Sequence, residues 1–260
     1  MLEDTMSSLP QSALTRSVLT PTHLLHTPES FVRTPLPGLT NGMAIVHACP
    51  ALGAGFTWST LELEAGGTFV SAVHQRVVYV LEGDAVLTLD AENYTEGAPQ
   101  AHALRPGSYA YLRSGELATL SASSAARLVL IEKSYASLPG VEPPATFVGE
   151  EASLAATPLN GDTNLLVRAL LPPDFAFDFA VNTMTYAPNA ALAQVEVHYM
   201  EHGLLMLEGA GPYLLNDTAY PTEAGDFIWM APYCPQWFQA DATGSAKYLI
   251  YKNFHRAPSL

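Results

Sequence analysis

The chain has 260 residues, 48% hydrophobic and 14% charged, with a formal charge of −14. That length allows one large domain or two small ones around a sizeable core. Eleven Lys and Arg against twenty-five Asp and Glu argue against nucleic acid or an anionic membrane as partner, since both need clustered basic residues.

The acidic excess reads as a solubility device. Cys49 and Cys234 are far apart and give no disulfide framework. No apolar run reaches membrane-spanning length. The acidic start, MLEDTMSSLPQSALT, is not a secretory leader, so a cytoplasmic protein is expected.

Residues 1–15 read as a disordered lead. Residues 16–50 are rich in Pro and Thr, which suits extended segments and turns. Short runs of Val, Leu, Thr, Tyr and Phe follow at 56–62, 77–81, 85–90, 109–112 and 127–133, each of strand length and strand composition. No long stretch holds a period of 3.6, so an all-β sandwich or barrel is predicted.

The second half repeats the first. VYVLEG at 78–83 matches LLMLEG at 204–209, and RPGS at 105–108 matches EAGD at 223–226. Residues 127–133 match 247–252, with Lys133 set opposite Lys252. Gly83 and Gly107 stand 24 positions apart, Gly209 and Gly225 only 16, and the eight extra residues fall in the polar loop 90–100. A repeat of this length means duplicated domains. Their joint is expected in the Pro- and Gly-rich stretch 138–151.

The chemistry concentrates between Glu196 and Gln236. On a regular strand Glu196, His198 and His202 share one parity and can share one face. Two imidazoles, a carboxylate and the Gln236 amide suit Mn²⁺, Fe²⁺ or Ni²⁺ better than a closed Cys/His zinc site. A strand histidine is more often packed than metal-bound. The Gly turn and Pro-Gly corner that follow favour the metal. Tyr248 and Lys252 also share a parity. A lysine inside an apolar barrel is unfavourable unless paired, and a substrate carboxylate would neutralise it. The plainer alternatives are a surface lysine at a strand end and, for Tyr213, core packing. Cys234 reads as a small buried hydrophobe. In the first half the matching positions hold Val70, Ala72, Arg76 and Ala118, which is no ligand set, and His74 stands alone.

The pattern around Gly209, Gly225 and Pro232 resembles the two-part cupin signature, with the ligand types permuted and Gln236 in place of a last histidine. Glu-x-His-x-x-x-His-Gly-Leu-Leu, Leu-Glu-Gly-x-Gly-x-Tyr, Ala-Gly-Asp-x-Ile-Trp-Met-Ala-Pro, Pro-Gln-Trp and Tyr-Leu-x-Tyr-Lys together resemble the (S)-ureidoglycine aminohydrolase family. The resemblance implies two tandem cupin barrels of the double-stranded β-helix (jelly-roll) type. Residues 16–145 would form a unit without metal ligands, and 146–260 the unit with the site. It implies one Mn²⁺ per chain on Glu196, His198, His202 and Gln236. Substrate contacts would come from Tyr213, Tyr248 and Lys252 beside Glu196 and Gln236, with Glu196 and Lys252 catalytic. A small-molecule substrate and a homo-oligomer follow from the same resemblance. The rival readings are an iron cupin oxygenase, which Gln236 disfavours, and a non-catalytic ligand-binding cupin, which the intact ligand set disfavours.

Overall fold

The computed structural model describes residues 15–90, 100–254 and 256. All but the last residue of the expected lead (1–15) and most of the long polar loop (90–100) lie outside the described residues.

The chain is built of strands, and no α-helix occurs among the described residues. The first half contains β1 (Val18–Leu19), β2 (His23–His26), β3 (Arg33–Thr34), β4 (Leu39–Ala48), β5 (Thr57–Ser71) and β6 (Gln75–Glu82). It continues with β7 (Ala85–Leu89), β8 (Gln100–Leu104), β9 (Ser108–Leu112), β10 (Ala118–Ala122), β11 (Ala126–Lys133) and β12 (Phe147–Glu150). The second half holds β13 (Thr157–Leu159), β14 (Asp162–Ala169), β15 (Ala180–Tyr186), β16 (His202–Glu208) and β17 (Ala210–Leu215). It ends with β18 (Thr218–Glu223), β19 (Phe227–Met230), β20 (Gln236–Phe238) and β21 (Ala246–Lys252). The five runs predicted from composition are all strands, and the first extends well past residue 62. Among the described residues no helix is long and apolar enough to cross a membrane.

Strand order repeats. A ten-stranded sheet contains the succession β9-β6-β11-β5, and an eight-stranded sheet contains β19-β16-β21-β15. A register shift falls at Arg127/Leu128 in one and at Met206/Glu208 in the other, beside Gly83 and Gly209. Both glycines have positive φ, 71° and 75°. A Cβ on either would approach a backbone carbonyl, that of Ala125 or Ser245, to 2.3 Å. Only glycine fits such a turn.

The two sheets differ at their flanks. β12 lies beside β9, and the equivalent place beside β19 is taken by β2 from the N-terminal segment. The segment expected to open the first unit is therefore hydrogen-bonded into the sheet of the second half. Arg16 fastens it there through Asp226, with contacts of 2.8 and 2.9 Å.

Alternation divides the eight-stranded sheet into two buried faces. Leu204, Met206, Ile228, Tyr248 and Ile250 face a core closed by Tyr213, Leu215 and Phe238 of the three-stranded sheet β18-β17-β20. Leu205, Phe227, Trp229, Leu249 and Tyr251 face the other way, into a core shared with Val77, Tyr79, Tyr111 and Ile131 of the first half. A third core lies inside the first half and includes Leu87, Val78, Leu128 and Leu130.

Candidate functional site

The site lies where β16, β20 and β21 meet the loop before β16. Glu196 and His198 do not sit on a regular strand, as parity suggested. Between β15 and β16 the chain makes only isolated bridges, one of them Glu196 with Gln236. The Glu196 N–H donates to the Gln236 carbonyl at 2.9 Å, and the Gln236 N–H donates back at 3.0 Å. Tyr233 N–H donates to the His198 carbonyl at 2.7 Å. These backbone bonds hold the loop on the start of β20, so the three residues converge without a strand. His202 begins β16, where it pairs with Met230 on one side and Lys252 on the other.

The side chains meet closely. His202 Nε2 is 3.3 Å from His198 Nε2, and the Gln236 amide nitrogen is 3.2 Å from that same atom. Glu196 Oε2 lies 3.8 Å from His198 Nε2. The Tyr213 hydroxyl donates to Gln236 Oε1 at 3.2 Å. His202 and Gln236 are buried, while the side chains of His198 and Glu196 are 25% and 36% exposed. The set thus opens to solvent through Glu196 and His198.

His202 Nδ1 faces the Tyr251 carbonyl at 3.3 Å. A carbonyl only accepts, so Nδ1 carries the ring proton and Nε2 keeps its lone pair. Burial, then the neighbouring His198 and Lys252, lowers the His202 pKa to about 3, so the ring is neutral. His198 Nδ1 is buried without a hydrogen-bond partner among the described residues.

A divalent ion fits this donor set. Donors bound at 2.0–2.1 Å around one ion stand roughly 3 Å apart. The separations of 3.2 and 3.3 Å fall close to that, and Glu196 at 3.8 Å stands slightly off. Among the described residues no three His, Cys, Asp or Glu side chains are already gathered as a metal cage. The gathered set here is two imidazoles and an amide, with the carboxylate at their edge. The amide can turn either atom inward, because the Tyr213 hydroxyl opposite both donates and accepts.

Tyr248 and Lys252 lie on one face of β21, as parity predicted. Tyr248 is buried and its hydroxyl is 2.7 Å from that of Tyr186, a residue that sequence reasoning missed. Tyr186 ends β15 with no motif around it; only its place beside β21 brings it here. Burial raises the pKa of Tyr213, Tyr248 and Tyr186 well above the ordinary value, so all three are neutral donors. Burial lowers that of Lys252, and the Glu196 carboxylate opposes the shift. Cys234 packs in the core with Tyr213 and Tyr248 and is a buried, uncharged thiol.

Among the described residues the first half holds no equivalent set. Arg76 pairs with Leu112 and Glu132 as His202 pairs with Met230 and Lys252. Glu132, rather than Lys133, therefore occupies the place of Lys252. Lys133 instead binds Asp178. Ala118 sits opposite Leu89 as Gln236 sits opposite Leu215. Leu128 stands for Tyr248, and Leu87 for Tyr213. Arg76 is buried and donates to the carbonyls of Ser71 and Glu116, filling the space with a guanidinium. A cleft of about 720 Å³ between the halves, floored by Glu151 and Lys247, includes none of the predicted site residues.

The chain is all-β among its described residues and contains a cupin domain: residues 51–135 match the family of EutQ-like cupin domains. That match falls on the half without the ligand set. Over 94% of its length the chain is 38% identical to (S)-ureidoglycine aminohydrolase of Arabidopsis thaliana, covering 80% of that protein. It is 37% identical over the same share to the probable (S)-ureidoglycine aminohydrolase of Oryza sativa subsp. japonica, covering 77% of it. The crystal structure of protein Ylba from E. coli superposes with a TM-score of 0.83 at 25% identity, over 96% of this chain and 98% of that one. The chain belongs to the (S)-ureidoglycine aminohydrolase family.

Proposed function

We propose that this chain hydrolyses (S)-ureidoglycine to (S)-ureidoglycolate and ammonia, a step of purine (ureide) breakdown, in the second of two tandem cupin units. The observation that carries the reading is the convergence of Glu196, His198, His202 and Gln236 beside a lysine whose ammonium is in no direct salt bridge among the described residues, Glu196 acting on it only through space. Lys252 is the cross-strand neighbour of His202, and among the described residues its ammonium makes no hydrogen bond or salt bridge and lies only over the Phe254 ring, at 5.9 Å. A substrate carboxylate completes it. The neutral hydroxyls of Tyr248 and Tyr213 donate to the carboxylate or ureido oxygens. Together these contacts fix which enantiomer fits.

In the net reaction the bond from the α-carbon to its amine breaks and a bond to the oxygen of water forms, with the proton of water leaving on the amine as ammonia. We assign to Glu196, whose side chain is 36% exposed at the edge of the site, the role of accepting that proton. Glu196, His198, His202 and Gln236 would hold a manganese ion, which would supply Lewis acidity there. We place the enzyme in the cytoplasm as a homo-oligomer acting on a small-molecule substrate.

The test is ammonia release from freshly made (S)-ureidoglycine by metal-depleted protein, with and without Mn²⁺, following the product's handedness in the same tube. Manganese-dependent release giving only (S)-ureidoglycolate supports the reading. Glu196→Ala and His202→Ala should then lose both metal and activity. No acceleration over spontaneous decay, with metal bound, assigns the site to another substrate.

A further inference from the structure

We propose that Gly55–Trp58 of the ligand-less half is the positioning element for His202, so that the first half acts in the reaction by fixing one imidazole of the second. The proposal rests on the reading of His202 as a site ligand.

Both chain neighbours of His202 are locked by this segment. The Gly55 N–H donates to both carboxylate oxygens of Glu201, at 3.0 and 3.1 Å. A Cβ at position 55 would come within 2.5 Å of Glu201 Oε1, so a side chain there forces the carboxylate away. On the other side of His202, Gly203 presents a bare Cα to two rings. A Cβ there would meet Phe56 at 2.7 Å and Trp58 at 3.0 Å.

The imidazole itself is held through the same segment. Its Nδ1 donates to the Tyr251 carbonyl, and the Tyr251 ring lies over Phe56 with centroids 4.1 Å apart. Two groups of the second half complete the lock on Glu201. The Trp229 indole N–H donates to Oε2 at 3.4 Å, and Asn253 Oδ1 accepts from the Glu201 N–H at 2.8 Å. The backbone before His202, the backbone after it and the partner of its ring thus all bear on residues 55–58. A ligand held this way keeps its direction at no entropic expense when the ion arrives. Glu201 is a positioning residue: among the described residues its hydrogen-bond partners are Gly55, Trp229 and Asn253, none of them in the ligand set.

The experiment measures Mn²⁺ affinity by chelator competition, kcat and KM, and metal-free melting temperature for Gly55→Ala, Glu201→Ala and Glu201→Gln, with His202→Ala as reference. The alanine variants should bind Mn²⁺ about tenfold or more weakly. They should lose kcat with little change in KM, because Lys252 and the tyrosines still bind substrate. Glu201→Gln, which keeps an acceptor oxygen for Gly55, should restore most of both. Wild-type Mn²⁺ affinity and kcat in folded Gly55→Ala and Glu201→Ala, with only the melting temperature lowered, would make the contact an interface staple and overturn the proposal. If Gly55→Ala does not fold, Glu201→Ala against Glu201→Gln decides by the same readouts. Unchanged Mn²⁺ affinity in His202→Ala overturns the ligand reading itself, a result distinct from failure of the positioning contact alone.

Discussion

The hydroxyl oxygens of Tyr186 and Tyr248 lie 2.7 Å apart, on two fully buried rings. β15 and β21 are hydrogen-bonded neighbours, and each ring takes its partner from the other strand. One hydroxyl donates and the other accepts. If Tyr248 gives its proton to substrate, Tyr186 supplies the bond that Tyr248 accepts.

That pairing predicts a coupled loss of stability. Removing one hydroxyl orphans the other in the core, at about 1–3 kcal/mol, whereas removing both leaves no orphan. Tyr186→Phe and Tyr248→Phe should each destabilise. The double variant should be more stable than the sum predicts, by roughly 1 kcal/mol in a urea-denaturation cycle. Strictly additive losses would show that each hydroxyl has another partner.

Lys252 predicts the opposite relation between stability and function. Its Nζ lies 5.9 Å from the Phe254 ring centroid, and burial disfavours its charged form. A lysine whose pKa is lowered on folding weakens the fold at neutral pH, and that penalty is relieved as pH rises through the lowered folded value towards the ordinary lysine value, above which nothing further is gained. Lys252→Met should therefore leave the melting temperature unchanged or raised. Its kcat/KM on (S)-ureidoglycine should fall about a hundredfold, mostly through KM, if the ammonium binds the carboxylate. A large fall in melting temperature with KM unmoved would make Lys252 structural.

Much of this was legible in the sequence because strands write their faces as alternation and glycine turns mark where they end. Tyr248 and Lys252 could be placed on one face by parity alone, and Gly83 and Gly209 aligned the halves. Parity failed at Glu196 and His198, because a loop pinned by two backbone bonds to Gln236 does what a strand was expected to do. Aligning Lys133 with Lys252 failed by one residue, since identity of type outweighed the register that only strand pairing reveals. Tyr186, Glu201 and the placing of β2 beside β19 depend on contacts across long stretches of chain, which carry no local signal.

His47 predicts a slope of stability with pH. It is buried between Thr60, 2.9 Å from its Nε2, and His26, whose Nδ1 is 3.2 Å from its own. Its ring stacks on Phe227 of the second half, with centroids 4.8 Å apart. Burial, then the nearby His26 and Arg127, holds its pKa well below the ordinary value, and burial lowers that of His26 too. Above about pH 6.5 both folded and unfolded states are neutral and stability is full. As pH falls below that value the unfolded chain takes protons the folded one refuses. Each such histidine then removes up to about 1.4 kcal/mol per pH unit. Urea denaturation between pH 6.5 and 5 should give a shallower slope for His47→Gln than for wild type, whatever the cavity does to absolute stability. Parallel slopes would mean that the unfolded-state proton is not excluded by this contact.

Arg16 predicts how far the N-terminal segment supports the site. Its guanidinium grips Asp226 with two bonds of 2.8 and 2.9 Å and reaches Glu223 at 2.9 Å. The Asp226 side chain is wholly buried, while Arg16 is 32% exposed. Removing the arginine strands a buried carboxylate. Breaking a buried pair costs about 3–5 kcal/mol, and partial exposure puts this one near the lower end, about 3 kcal/mol. Arg16→Ala should lose about that much, and Arg16→Ala with Asp226→Ala should recover part of it. The loss should also spread in one direction. β2 pairs with β19, and the Ala231 N–H beyond β19 donates to the Thr22 carbonyl at 2.9 Å. From there the chain runs directly to Gln236. Amide exchange in Arg16→Ala should therefore quicken in β2 and at 231–236 and stay as in wild type in β6, which lies in the other sheet. Equal quickening in β6 would mean that the arginine supports the fold as a whole rather than this edge of the site.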